Sequence, residues 1–154
     1  MTVIIILLAT CLTALLAGFW CTWGIIVLPA LDKVSPAVAV TSMRSLNESV
    51  LTPAFLIPFF ASPVVCVVGT VACAVVQAPT ASVLLGLSAG IQLLGVILIT
   101  RTRNVPLNEE LARTELPPEQ AWDAFSQPWQ RAHLVRTIAS CVALTCCAAA
   151  LWAY

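Results

Sequence analysis

Charge is the scarcest commodity in this chain. Asp, Glu, Lys and Arg make up 9% of 154 residues, against 60% hydrophobic residues. A soluble domain carries about 25% charged residues, so the deficit excludes an ordinary soluble domain, a disordered chain and a nucleic-acid-binding surface. Histidine occurs once, too few for an iron site built from two histidines and a carboxylate. The seven cysteines include no CxxC pair and no Cys/His cluster at zinc spacing. No phosphate loop, serine triad or zinc motif is present.

The charges that do exist are confined to two short blocks. None precedes Asp32, and the block Asp32, Lys33, Arg44 and Glu48 is followed by 52 uncharged residues, 49–100. Residues 101–136 hold all the others, and the last 18 residues are uncharged again. A membrane-spanning helix needs about 20 predominantly apolar residues. The uncharged blocks therefore hold one, two and one spans, at about 3–28, 53–77, 80–100 and 134–153. The expected fold is all-α, a single-domain transmembrane four-helix bundle with a short helical connection between spans three and four. Met1-Thr2-Val3 lacks the positive charge of a signal peptide, and the apolar stretch is long for one, so span one reads as a retained helix.

Orientation follows from the basic residues. The turn at Gln77-Ala78-Pro79-Thr80 and both ends carry none. Positive residues stay on the cytoplasmic side. Residues 32–50 and 101–135 are thus expected in the cytoplasm and both termini outside, in a plasma membrane of bacterial type. The cysteines all fall inside the spans and read as small apolar packing residues; Cys66 and Cys73, seven apart, share a helical face.

Polar and aromatic residues single out the membrane edge. Trp20 and Trp23 flank Cys21 in span one, where tryptophans anchor at the interface or wall a pocket. Pro29 is expected to end that helix. Ser35-Pro36 reads as an N-cap and first position of a helix to about Leu51, on which Arg44 and Glu48 are spaced to pair and Asn47 lies beside them. Pro58 and Pro63 are expected to kink span two and open a cavity near Phe55, Phe59 and Phe60. Gln92 is the one strongly polar residue inside span three. Arg101–Asn104 reads as a polar turn, with Asn104 capping a helix that begins at Pro106. Another helix follows Pro117-Pro118, with Trp122, Phe125 and Trp129 on one face and a bend at Pro128. Trp129, His133, Arg136 and Ser140 are spaced i, i+4, i+7, i+11 and form a stripe running into span four. Arg131 points the opposite way, towards the headgroups.

These motifs together resemble one family. Gly18-Phe19, Pro29, Met43 to Asn47, Phe55, Asn104-Val-Pro106-Leu-Asn108-Glu-Glu-Leu111 and Trp129-x-x-x-His133-x-x-Arg136 are similar to the pattern of the anthrone-oxygenase-like small four-helix membrane proteins. The resemblance covers nearly the whole chain, although relatives often place Asn where this chain has His133. It implies oxidation of a flat, apolar, polyketide-like aromatic with molecular oxygen as co-substrate and no cofactor. On that reading His133 serves as base, and Arg136 and Asn47 complete the catalytic set by stabilising an enolate. Asn104, Asn108 and Arg44 supply polar substrate contacts, and Trp129, Trp23 and Phe55 sandwich the rings.

Other chemistries stay open on the residues alone. No metal ligand set is expected, although His133 could be a haem's single axial ligand and the cysteines could hold copper. The expected partners are the lipid bilayer and an apolar aromatic molecule, with self-association into a homo-oligomer left open. The second reading is a non-enzymatic membrane subunit, assembly factor or lipid-binding protein, in which the Asn/Arg/His group only ties the connection to the bundle. A transporter fits less well, because no span carries a mid-membrane acid or base.

Overall fold

The computed structural model describes all of residues 1–154, and it is entirely helical. Five helices follow in order: α1 (Thr2–Leu31), α2 (Pro36–Ser49), α3 (Pro53–Val75), α4 (Pro79–Arg113) and α5 (Pro118–Ala153). All but α2 are long and apolar enough to cross a membrane, and the chain is an integral membrane protein. The four pack in a ring in which α1 touches α3 and α5, and α4 touches α3 and α5, leaving α1/α4 and α3/α5 as the diagonals.

The surface explains the medium. Ile4, Leu8, Ile25, Ile57, Phe60, Val64, Leu94, Leu134 and Trp152 all point outwards and are exposed. Water would penalise such a surface, whereas lipid tails are as apolar as leucine. With no hydrophobic gain from helix pairing, close packing holds the bundle together. Its interior is accordingly lined by Ala9, Ala17, Cys66, Cys73, Ala81, Ala89, Ala143, Cys147 and Ala150. Gly95 marks the tightest approach: a Cβ there would lie 2.5 Å from the Ala139 Cβ of α5. Gly95→Val should therefore destabilise the bundle by about 1–3 kcal/mol, read as earlier loss of structure on heating in detergent, with the open Gly90 position as its tolerant control.

Two helices are too long for the bilayer. At 1.5 Å per residue, the 35 residues of α4 and the 36 of α5 reach about 50 Å or more, against a hydrocarbon core of about 30 Å. Their excess, with α2 laid across it, builds a cap. Its apolar centre is Trp23, Leu31, Val40, Met43, Leu111, Trp122, Phe125 and Trp129.

Several boundaries differ from the sequence expectations. Span one runs to Leu31, past Pro29, because a π turn over Trp23–Val27 takes up the missing donor and Leu28 N–H bonds to the Trp23 carbonyl. Span three does not turn at Arg101–Asn104. It continues as a π segment over Thr100–Asn104, with Val105 N–H donating to the Thr100 carbonyl, and so carries Pro106 without a break. Asn104 has helical backbone angles and makes no capping bond. The helix expected after Pro117-Pro118 and the last span are one continuous helix, α5, which carries Pro128 inside it. Ser35 precedes α2 in extended conformation, as an N-cap position, but its side chain makes no capping bond.

Candidate functional site

The stripe read along α5 is a real inner face. Trp129, His133, Arg136 and Ser140 are all buried where α5 leaves the cap and enters the bundle, whereas Arg131 faces out. His133 Nε2 lies 3.1 Å from the Trp20 carbonyl and 3.4 Å from Thr137 Oγ1. Its Nδ1 lies 3.2 Å from Arg136 Nη2. A carbonyl can only accept and a guanidinium can only donate. This pairing assigns the neutral ring its proton on Nε2 and leaves the Nδ1 lone pair facing Arg136. Gly24 gives the ring room, since a Cβ there would lie 3.3 Å from His133 Nε2, a tight contact.

Arg136 is 3% exposed and has no carboxylate partner. The only ion pair in the structure joins Arg113 and Glu109, both on the outside of the cap. Glu109 and Glu110 thus leave Arg136 unpaired. Its guanidinium instead lies over Trp20 at 4.4 Å and over Trp129 at 5.1 Å. Nη1 donates to Thr100 Oγ1 at 3.3 Å, and Nε is buried without a partner. Cation–π contact is worth about 2 kcal/mol or more when desolvated, yet a lone buried charge costs several. The group is stabilised in part and still lacks an anion.

Trp129 is held at both ends by α4. Its ring Nε1 donates to Asn108 Oδ1 at 2.7 Å, and its carbonyl accepts from Asn104 Nδ2 at 3.3 Å. The ring stacks on His133 with centroids 5.1 Å apart, and Trp23 covers it from α1 at 5.7 Å. Asn104 and Asn108 therefore orient the aromatic wall, and only Asn104 keeps a buried acceptor, Oδ1, without a partner.

A second aromatic group continues the wall. Phe19, Trp20, Phe55 and Phe59 pack with centroids 4.9 to 6.4 Å apart. Beside Pro58 and Pro63 these rings pack against one another, and Phe60 turns outward. Phe55 thus reaches the site through Trp20. Trp20 itself, an anchor by its place near the membrane edge, proves central: it accepts from His133, stacks on Arg136, and buries its own Nε1 without a partner. Sequence reasoning also misses Thr100 and Thr137. Both carry a spacing signal, since Thr137 follows His133 by four and Thr100 precedes Asn104 by four.

The α2 residues stand apart. Arg44 does not pair with Glu48; it donates to the carbonyls of Leu111 at 2.9 Å and Thr114 at 3.2 Å, closing the end of α4. Asn47 lies one turn beyond the buried Met43, half-buried, and its Nδ2 is shielded from solvent with no partner. No hydrogen bond joins either residue to His133 or Arg136.

Two π segments bracket this site, at Trp23–Val27 and Thr100–Asn104. Such wide turns recur at functional sites. His133, Arg136, Trp129, Asn104 and Asn108 fall within residues 53–146, the stretch matched by the anthrone oxygenase family model, while Trp20, Trp23, Arg44 and Asn47 precede it. No curated protein and no solved structure matches the chain. The match covers more than half of the sequence, with two of the four spanning helices whole and most of the last, so the chain belongs to the anthrone oxygenase family.

Proposed function

We propose that the protein is a membrane-embedded oxygenase that oxidises an activated methylene of a flat, apolar, polyketide-like aromatic with molecular oxygen. One observation carries this reading: a buried arginine without a carboxylate, laid against two tryptophans. Such a group suits an anionic oxygen borne on a flat ring system, which is what an anthrone becomes on losing a methylene proton. His133 takes that proton at Nδ1, once the substrate oxygen has drawn Arg136 away. Arg136 then holds the enolate oxygen through Nε, with the Trp20 Nε1 hydrogen as a second donor. Trp129, Trp23 and Phe55 flank the rings, and Asn104 Oδ1 accepts from a ring hydroxyl.

The balance needs no outside reductant. The carbanion adds molecular oxygen and a proton to give a hydroperoxide. Loss of water from the hydroperoxide, with cleavage of its O–O bond and removal of the second methylene hydrogen, leaves a carbonyl. One methylene and one dioxygen thus become one carbonyl and one water. The reading assigns no cofactor to this step. It places Lys33, Arg101 and Arg103 on the cytoplasmic side, following the basic-residue rule, and the site at that face. In the second reading, a non-enzymatic subunit or lipid-binding protein, the same cluster would tie the cap to the bundle; the partnerless polar atoms Trp20 Nε1, Asn104 Oδ1 and Arg136 Nε favour the first. The test is oxygen uptake by detergent-purified protein given an anthrone. One oxygen consumed per anthraquinone formed, above the spontaneous rate, is the expected result. No enzyme-dependent uptake with any of a set of hydroxylated anthrones would move the assignment to the binding role.

A further inference from the structure

One pair of side chains that the reaction above does not use lies where the site has to open. Cys21 of α1 and Cys141 of α5 have their sulfurs 3.8 Å apart, across the seam between two neighbouring helices. Cys141 is exposed and Cys21 half-buried, so the pair sits on the lipid side of that seam. Cys21 directly follows Trp20. Cys141 lies one turn beyond Thr137, whose hydroxyl is 3.4 Å from His133 Nε2. A second pair, Cys66 and Cys147, is as close at 3.7 Å, but both are fully buried inside the bundle. Proximity is shared by the two pairs; access from the membrane belongs to one.

The seam matters because the site is shut. Trp20, Trp129, His133 and Arg136 are each at most 5% exposed. The contacts that cover the guanidinium cross from α1 to α5. Trp20 lies over Arg136 at 4.4 Å, the Trp20 carbonyl meets His133 at 3.1 Å, and Trp23 faces Trp129 with centroids 5.7 Å apart. A flat aromatic that reaches Arg136 from the lipid has to part these contacts. A covalent bond between the two helices opposes that. Neighbouring helices pack about 8–10 Å apart, which leaves Cα atoms at their seam about 4–7 Å apart, a span that overlaps the disulfide range.

We propose that Cys21 and Cys141 are a modification site: a membrane-soluble organic hydroperoxide oxidises them to a disulfide that fastens α1 to α5 and holds the site shut. The cross-link rests on the two thiols alone; its consequence for turnover rests on the oxygenase reading above. The chemistry takes two steps. One thiol sulfur attacks the outer peroxide oxygen, the O–O bond breaks, and a sulfenic acid and an alcohol form. The second thiol then displaces water from the sulfenic sulfur as the S–S bond forms. Two thiols give up two electrons, and one hydroperoxide becomes one alcohol and one water. Exchange with a reducing dithiol reverses the bond. A hydroperoxide is also what the proposed reaction passes through, so peroxide that escapes from the site would close it.

The experiment uses the full chain in lipid nanodiscs, treated with cumene hydroperoxide, then alkylated and mapped by mass spectrometry. The expected result is a Cys21–Cys141 cross-link, with Cys66 and Cys147 still free thiols. Cross-linked protein should unfold at a higher temperature. It should lose turnover of an anthrone in proportion to the fraction cross-linked. Binding of a hydroxylated anthraquinone, read by quenching of tryptophan fluorescence, should fall in the same proportion. Dithiothreitol should restore both. Cys21→Ala and Cys141→Ala should each bind and turn over like the untreated protein and be indifferent to peroxide. Cys21 and Cys141 left unlinked by peroxide, cross-linked protein that still binds and turns over, or peroxide sensitivity that persists in the alanine variants would overturn the proposal. So would reduced protein that binds no anthraquinone. Reduced protein that binds the anthraquinone but consumes no oxygen with an anthrone ends the oxygenase reading alone, and binding then decides whether the cross-link shuts the site.

Discussion

Replacing Arg136 by methionine should lower turnover of an anthrone by about 10²–10³-fold, the loss seen when one preorganised oxyanion donor is removed. It should not lower stability. The guanidinium is buried without a carboxylate, and replacing a buried charge by an apolar side chain of similar volume is often neutral or stabilising. Methionine keeps the length that fills the space between Trp20 and Trp129. The two readouts separate the readings. If Arg136 exists to fasten the cap, through Thr100 and His133, the variant unfolds earlier. If it exists to receive an anion, the variant is dead and at least as stable. Arg136→Lys should recover little, since an ammonium keeps the charge but not the planar stack on two indoles. Oxygen uptake and thermal unfolding on the same preparations measure both.

Replacing His133 by alanine should cost about 10²–10⁴-fold in kcat/KM if the ring removes the substrate proton. The informative partner is His133→Asn. An asparagine amide can donate to the Trp20 carbonyl and accept from Arg136, as the imidazole does, but it cannot act as a base near neutral pH. Equal loss in the Ala and Asn variants assigns the proton to His133. An active His133→Asn variant would make the ring a positioning residue that bridges Trp20 and Arg136. A solvent or substrate deuterium effect on turnover then tells whether proton removal still limits the rate.

Much of this architecture is legible in the order of residues, because the bilayer imposes a coarse rule. Uncharged blocks of known length mark four spans, and the spacing of Trp129, His133, Arg136 and Ser140 marks the inner face of α5. What stays hidden has one physical origin, the reading of each segment by itself. Trp20 looks like an anchor until His133 is seen against its carbonyl. Asn104 and Asn108 look like turn residues because Pro106 follows one and precedes the other; only the position of Trp129 makes them a clamp. Arg44 has a partner of opposite charge four residues on, yet the unsatisfied carbonyls at the end of α4 attract it instead. The cysteines look like packing residues, which burial supports for Cys66, Cys73 and Cys147; their mutual distances are not in the spacing.

The wide turns of α4 have an arithmetic of their own. At 100° per residue, Gln92 and Asn104 would point about 120° apart on a regular α-helix. Both are nevertheless buried in the bundle, one beside Thr13, Cys66 and Ser88 and the other against Trp129. The π segments Gln92–Leu98 and Thr100–Asn104 lie between them, and each holds more residues than an α-helix would use for the same rise. They act as a phase shifter, turning a helix that serves one layer at mid-membrane so that it serves another at the cap. A single residue deleted within Thr100–Asn104 would therefore remove the surplus, let the turn close as α-helix and leave Asn104 and Asn108 facing Trp129. The same edit within the regular stretch Pro79–Ile91 would instead put the whole span out of step.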